Sequence, residues 1–162
     1  MNLNLDERLL RVARTLGHGD PRVERAVARF SRLGQRGGIW LAIGATGCAL
    51  DRPRAASWRK ATFRIAGVYA LNTALKLAVR RRRPELAELP ALTDTPTQLS
   101  FPSAHASTSF AGARLYARLG LPAPALYALA VSLSLSRLYL GVHYPSDVLG
   151  GAALGTVAGM QR

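Results

Sequence analysis

One cysteine in 162 residues, Cys48, excludes an internal disulfide and leaves the redox compartment open. Set in an apolar run, it reads as a small core residue. Acidic side chains are scarce: nine Asp and Glu stand against 22 Lys and Arg, a net charge of +13. No cluster of Asp, Glu or Cys with ligand spacing lies near the polar motifs, so no metal site and no cofactor is expected. Eleven aromatic residues give little to stack on bases, which counts against a nucleic-acid partner. The first residues, MNLNLDERLLRVAR, are polar and charged, so no secretory signal peptide is expected. Strand-like alternation of useful length, internal repeats and low-complexity linkers are all lacking.

Long uncharged runs are also missing, but only just. Fourteen uncharged residues separate Arg36 from Asp51, 11 separate Arg64 from Lys76, and 18 separate Arg118 from Arg137. Each falls short of the ~20 residues a spanning helix needs. The Arg and Lys at their ends can snorkel and lengthen the effective span. The mean hydropathy of +0.08 hides this clustering. With 49% hydrophobic and 19% charged residues, the chain is long enough for one core and reads as one domain, residues 1–162. Nucleic acid, an anionic membrane surface or a phosphorylated substrate would each explain the positive charge. The expectation is an all-α protein: a compact helical bundle embedded in the cell membrane, multi-pass, with its motifs at one end.

Residues 1–36 hold two basic amphipathic helices, 3–16 and 21–34, with Asp20 as N-cap and Pro21 at the first helical position of the second. They read either as a solvated face covering a core or as interfacial helices on anionic lipid. Residues 37–162 form the core. The spacing predicts helices over 38–50, 56–82 (stopped by Pro84), about 103–119, about 123–140 and roughly 146–160. The 17-residue loop 85–101 is long enough to suggest function. If successive helices run antiparallel, KLAVRRRRP (Lys76–Pro84), FPSAHAS (Phe101–Ser107) and SRLYLGVHYPSD (Ser136–Asp147) fall at one end of the bundle.

These segments suit phosphate chemistry. On a helix, Lys76, Arg80 and Arg83 would share a face and clamp an anion; taken alone, the RRRR run reads more simply as a charge anchor. Pro102-Ser103-Ala104-His105 has the form of a helix start, where free N–H groups favour an anion. Alone, Ser103 would be an N-cap and His105 a surface residue. Arg137 offers bidentate donors to phosphate oxygens. Asp147, four residues after His143, can accept from Nδ1–H and leave Nε2 free as a nucleophile. An ordinary capping pair is the plainer alternative for those two.

Taken together, Lys76 with Arg83-Pro84 after six residues, Pro102-Ser103-Ala104-His105, and Ser136-Arg137 with His143 and Asp147 at fixed spacings resemble the type 2 phosphatidic-acid phosphatases. Those enzymes form one superfamily with the vanadium-dependent haloperoxidases. The likeness spans 72 of 162 residues, with one departure, Ala104 in place of glycine. LSFPSAHAS and the short length are also similar to the actinobacterial decaprenylphosphoryl-5-phosphoribose phosphatases. The resemblance implies a membrane lipid-phosphate phosphatase acting on a polyprenyl or other lipid phosphomonoester or diphosphate, without metal. It implies His143 as nucleophile, Asp147 as its orienting partner and His105 as acid and base. Lys76, Arg83, Ser103, Ala104 and Arg137 would bind the phosphate. A vanadate-dependent haloperoxidase-like enzyme and a non-enzymatic basic membrane- or nucleic-acid-binding protein are the alternatives.

Overall fold

The structure is a computed structural model describing residues 5–15 and 19–160. Seven α-helices follow in order: α1 (Leu5–Thr15), α2 (Pro21–Arg32), α3 (Gly38–Leu50), α4 (Ala55–Val79), α5 (Ala104–Ala117), α6 (Ala123–Tyr139) and α7 (Pro145–Ala158). Among the described residues there is no strand, only an isolated antiparallel bridge between Arg82 and Leu99. The all-α expectation holds. Asp20 caps α2, accepting from the Arg22 N–H at 2.8 Å, with Pro21 at the first helical position. Residues 3, 4 and 16 of the expected first helix, and Gly17 and His18 after it, lie outside the described residues.

Helix α5 is the axis. Ten of its 14 residues are buried, and it packs against α3, α4, α6 and α7. Small residues make this possible, because a helix crowded on all sides needs close backbone approach. At one end its neighbours enclose Trp40, Trp58, Ile65, Tyr116 and Leu133. The polar atoms of these large rings are satisfied, as burial requires. Trp40 Nε1 donates to Ser109 Oγ at 2.9 Å, Tyr116 OH donates to the Trp40 carbonyl at 2.7 Å, and Trp58 Nε1 donates to Asp51 Oδ2 at 2.9 Å.

The α5–α7 contact is closest at Gly155, where an added Cβ would overlap the Ser107 carbonyl. Backbone lies on both sides, so the helices would have to separate. Gly155→Ala is expected to cost about 1–3 kcal/mol or more. Gly67→Ala, on the open side of α4 with nothing within 4 Å, should be neutral or stabilise by up to about 1 kcal/mol. Thermal unfolding of the two variants in detergent checks the contrast; equal melting temperatures would contradict it.

Two expectations change. Helix α4 ends at Val79, not at residue 82, because Arg80 turns left-handed (φ 55°) as its C-cap. Residues 81–83 are therefore extended, paired to Leu99 and Ser100, and side chains alternate with period two. Arg81 and Arg83 turn inward. Arg80 stays exposed, donating to the Leu77 carbonyl, so it does not share a helical face with Arg83. On α1, the inward face is Asp6, Leu10 and Arg14, while Leu5, Leu9 and Val12 point outward. Arg14 is buried and ties two separate segments, donating to the carbonyls of Tyr139 at 2.6 Å and Pro90 at 2.7 Å. The latter bond and Leu92 N–H to Leu140 O (3.0 Å) pin the loop 85–101 over the bundle end.

No helix among the described residues is long and apolar enough to cross a membrane. Large apolar side chains nonetheless face outward on α3, α4, α6 and α7, among them Leu50, Phe63, Leu135 and Leu149.

Candidate active site

The chain order dictates where the polar motifs meet. The C-terminal ends of α4 and α6 and the N-terminal ends of α5 and α7 lie side by side. Ser103 N–H donates to the Asp147 carbonyl at 2.9 Å, and Lys76 Nζ donates to the carbonyls of Ser100 at 2.8 Å and Leu99 at 3.2 Å. Asn72 Nδ2 ties α4 to the start of α5 through the Pro102 carbonyl and Ser107 Oγ. One cavity of about 110 Å³ is bordered by Lys76, Arg83, Ala104, His105, Arg137 and His143. Ser103 and Asp147 lie behind it, both fully buried. The eight residues that the resemblance implicates are thus gathered at one place, and Arg80 is not among them.

His143 sits in the tight connection between α6 and α7, almost fully buried. Arg83 Nη1 lies 3.3 Å from His143 Nε2. A guanidinium can only donate, so Nε2 is the accepting nitrogen and the ring proton belongs on Nδ1. Nδ1 lies 3.4 Å from Asp147 Oδ2, a long contact that aims the proton toward the carboxylate without a well-formed hydrogen bond. Burial, and then the charges of Arg83, Lys76 and Arg137, hold the imidazole well below its usual range and therefore neutral. Arg83 also donates to the carbonyls of Val142 and of Thr97. Burial pushes its guanidinium down to about 10, against the pull of Asp147.

Asp147 is held from two sides. Oδ2 accepts from the Tyr144 N–H at 2.8 Å, in a capping box that starts α7, and Oδ1 accepts from Arg81 Nη1 at 2.9 Å. Arg81 in turn stacks over the Tyr144 ring at 4.2 Å and donates to Asp6 Oδ2 at 2.8 Å. Asp6 also accepts from Ser146 N–H at 3.0 Å. Burial raises the Asp6 carboxyl; the bonds from Arg81 and Ser146 outweigh it and hold the group below its ordinary value.

His105 lies in the first turn of α5, buried rather than on the surface, with Nε2–H donating to the Ser31 carbonyl at 3.0 Å. Ser31 Oγ accepts from Arg137 Nη1 at 2.8 Å. At the site, Ser103 Oγ and Arg137 Nε have no partner among the described residues; the Nε atoms of Arg11, Arg14 and Arg114 are likewise unpaired, but away from it. Buried donors of this kind are rare in folded proteins and call for a reason. Here they border a space already framed by Lys76, Arg83 and the free N–H groups at the start of α5. That arrangement fits a tetrahedral oxyanion beside His143 Nε2.

Residues 58–160 match the PAP2 superfamily. The chain belongs to the PAP2 superfamily. Among curated relatives, decaprenylphosphoryl-5-phosphoribose phosphatase of Mycolicibacterium smegmatis is 39% identical over 134 residues, 82% of this chain and 73% of the relative. The protein of that name from Mycobacterium tuberculosis is 41% identical over 136 residues, 83% of this chain and 76% of the relative. Two solved structures share the fold. Aquifex aeolicus LpxE aligns with a TM-score of 0.74 and 22% identity, covering 98% of this chain and 94% of that one. The transmembrane PAP2 type phosphatidylglycerolphosphate phosphatase of Bacillus subtilis aligns at 0.72 and 25% identity, covering 94% and 80%. This PAP2 chain is accordingly a phosphatase by family, a phosphoric ester hydrolase.

Three participants escaped the sequence reading: Arg81, Asp6 and Ser31. Arg81 was hidden in a run of four arginines assigned to a helix. The signal that could have found it is Pro84, which biases the residues before it toward extended backbone and so places 81 and 83 on one side. Asp6 and Ser31 belong to the N-terminal helices, and nothing in their local sequence points across 140 and 106 residues to Ser146 and Arg137.

Proposed function

We propose that this protein is an integral, multi-pass membrane phosphatase that removes the terminal phosphate of a polyprenyl-linked phosphosugar through a phosphohistidine on His143, without metal. The observation that carries the reading is the pair of unpartnered buried donors, Ser103 Oγ and Arg137 Nε, set around a neutral imidazole whose Nε2 is free of its proton. The names of the curated relatives support the substrate class.

The phosphoryl group enters with its oxygens toward Lys76, Arg83, Arg137, Ser103 Oγ and the Ala104 N–H. His143 Nε2 attacks phosphorus as the ester P–O bond breaks in line. Asp147, fixed by Arg81 and Tyr144, takes up the charge that develops on the ring through Nδ1–H. His105 takes up a proton as the phosphate dianion binds and, with Nε2–H held by the Ser31 carbonyl, gives the Nδ1 proton to the leaving oxygen. As neutral imidazole it then draws a proton from water while the water oxygen attacks phosphorus and the P–N bond breaks. Inorganic phosphate leaves with His143 neutral and His105 protonated again. Phosphoryl transfer needs little more than positioning and charge stabilisation, and three cations supply both.

The test is phosphate release from a polyprenylphosphoryl ribose 5-phosphate in excess EDTA. Turnover undiminished by EDTA and blocked by vanadate is expected. Loss with EDTA and recovery with Mg²⁺ would overturn metal independence, and no release at all would overturn the substrate class.

Outward apolar residues on α3, α4, α6 and α7 support residence in the bilayer: Leu50 is 81%, Phe63 74% and Leu149 70% exposed. Alkaline carbonate washing should leave the protein in the membrane fraction; its appearance in the supernatant would mean the bundle only docks on the surface.

A further inference from the structure

Seven of the nine carboxylates have protein partners: Asp6 with Arg81, Asp20 with the Arg22 N–H, Glu24 with the Gly19 N–H, Asp51 with Arg54, Glu88 with Arg11, Asp147 with Arg81 and Tyr144, and Glu7 within its own surroundings. Glu85 and Asp94 make neither a hydrogen bond nor an ion pair with any described residue. Both are exposed, so water solvates them where no protein cation does. Both lie in the loop pinned over the bundle end, and both line the same cavity of about 640 Å³. Its wall includes Arg83, the side chain that touches His143 Nε2. Asp94 also lines a second cavity, about 280 Å³, whose wall includes His105 and Arg137. The larger volume lies within the range of about 300–1,000 Å³ usual for small-molecule sites.

Two free carboxylates beside a cationic phosphate clamp are a liability for an enzyme whose substrate is only an anion. They repel it and offer it no bond. The liability disappears if the group carrying the phosphate presents neutral donors, since a carboxylate accepts hydroxyl hydrogen bonds strongly and a vicinal diol can occupy both of its oxygens. Gln98 and Thr95 add further polar groups to the same wall. We propose that Glu85 and Asp94 form a hydroxyl-recognition subsite, which selects substrates whose phosphate is borne on a sugar. This rests on the phosphatase reading above and deepens it: the loop 85–101 would read the pentose while the helix ends hold the phosphate.

The experiment pairs a kinetic arm with a binding arm, on full-length protein in detergent micelles. Methyl ribofuranoside 5-phosphate carries the diol, n-pentyl phosphate carries none, and ethanolamine phosphate carries an ammonium. Wild type should prefer the riboside to the pentyl ester. Asp94→Asn and Glu85→Gln should each lower kcat/KM for the riboside by at least about 10-fold, mainly through KM. Pentyl phosphate hydrolysis should be unchanged or faster. Equal losses on both esters would make the residues structural and overturn the proposal, as would equal gains, which would mean simple charge repulsion. If only the ammonium ester responds, the subsite reads a cation instead. Dissociation constants of the same esters, measured in a His143→Ala background with and without Asp94→Asn, report the cavity independently of turnover. Diol-dependent binding without hydrolysis would sink the phosphatase reading and keep the subsite; hydrolysis without diol dependence would do the reverse.

Discussion

His143→Ala is expected to abolish phosphate release, by on the order of 10⁴-fold or more, in a protein that still folds. The reason is geometric. No other side chain combines a free lone pair, a donor on one side and a carboxylate on the other. Arg83 approaches Nε2 at 3.3 Å and Asp147 lies 3.4 Å from Nδ1. Asp147→Asn should be damaging but less complete, because the imidazole remains and only its orienting charge is lost. Removal of the ring should also leave the fold intact: the buried neutral imidazole lacks a well-formed Nδ1 hydrogen bond, and Asp147 keeps its bonds to Arg81 and Tyr144. The pH profile gives a second readout. With its pKa held below the ordinary ~6.5, His143 stays deprotonated, and the acid limb of kcat set by this group should fall below that value. The linked stability term has a definite sign. The unfolded chain takes up the proton first as pH falls, so the native state is favoured fully above ~6.5 and loses ground progressively below it. In His143→Ala that loss of stability should shrink. Denaturation of both proteins at pH 7.5 and 5 measures it, and full activity in a folded His143→Ala would remove this residue as the nucleophile.

Much of this site was legible because its spacing is local. Three motifs at helix ends converge in any antiparallel arrangement, and all seven helices among the described residues follow from apolar runs punctuated by Gly, Pro and Asp20. What could not be read depends on contacts across the chain. The length of α4 turned on one residue, Arg80, adopting a left-handed cap, and this decided that Arg81 rather than Arg80 joins Arg83 in facing inward. The outward face of α1 illustrates a second limit. Leu5, Leu9 and Val12 look like a core stripe, yet the inward face is Asp6, Leu10 and Arg14, and the partners of Asp6 and Arg14 lie 75 to 140 residues away, at Arg81, Ser146, Pro90 and Tyr139. Periodicity locates a face; it does not say which side of the helix the protein occupies. His105 shows the same thing at a single residue, since its burial against Ser31 depends on α2 closing over the start of α5.

That burial shapes the expected division of labour between the histidines. His105 has Nε2–H directed to a carbonyl and no carboxylate beside it, whereas His143 has Asp147. His105 is thus placed to carry a proton, and His143 to carry the phosphoryl group. A general acid matters most for a poor leaving group such as a sugar alkoxide, and least for a good one such as nitrophenolate. His105→Ala should therefore lose about 10²–10⁴-fold in the rate of phosphoenzyme formation with the sugar phosphate. With nitrophenyl phosphate the loss in that step should be far smaller. Breakdown needs a base to activate water, so with the activated ester the phosphoenzyme of His105→Ala should accumulate. Rapid-quench trapping of acid-labile, base-stable phosphoprotein reads both steps at once. His105→Ala should give a trapped phosphohistidine and His143→Ala none. The opposite pattern would exchange the two roles, leaving Asp147 and Arg81 positioned behind the general acid instead of the nucleophile.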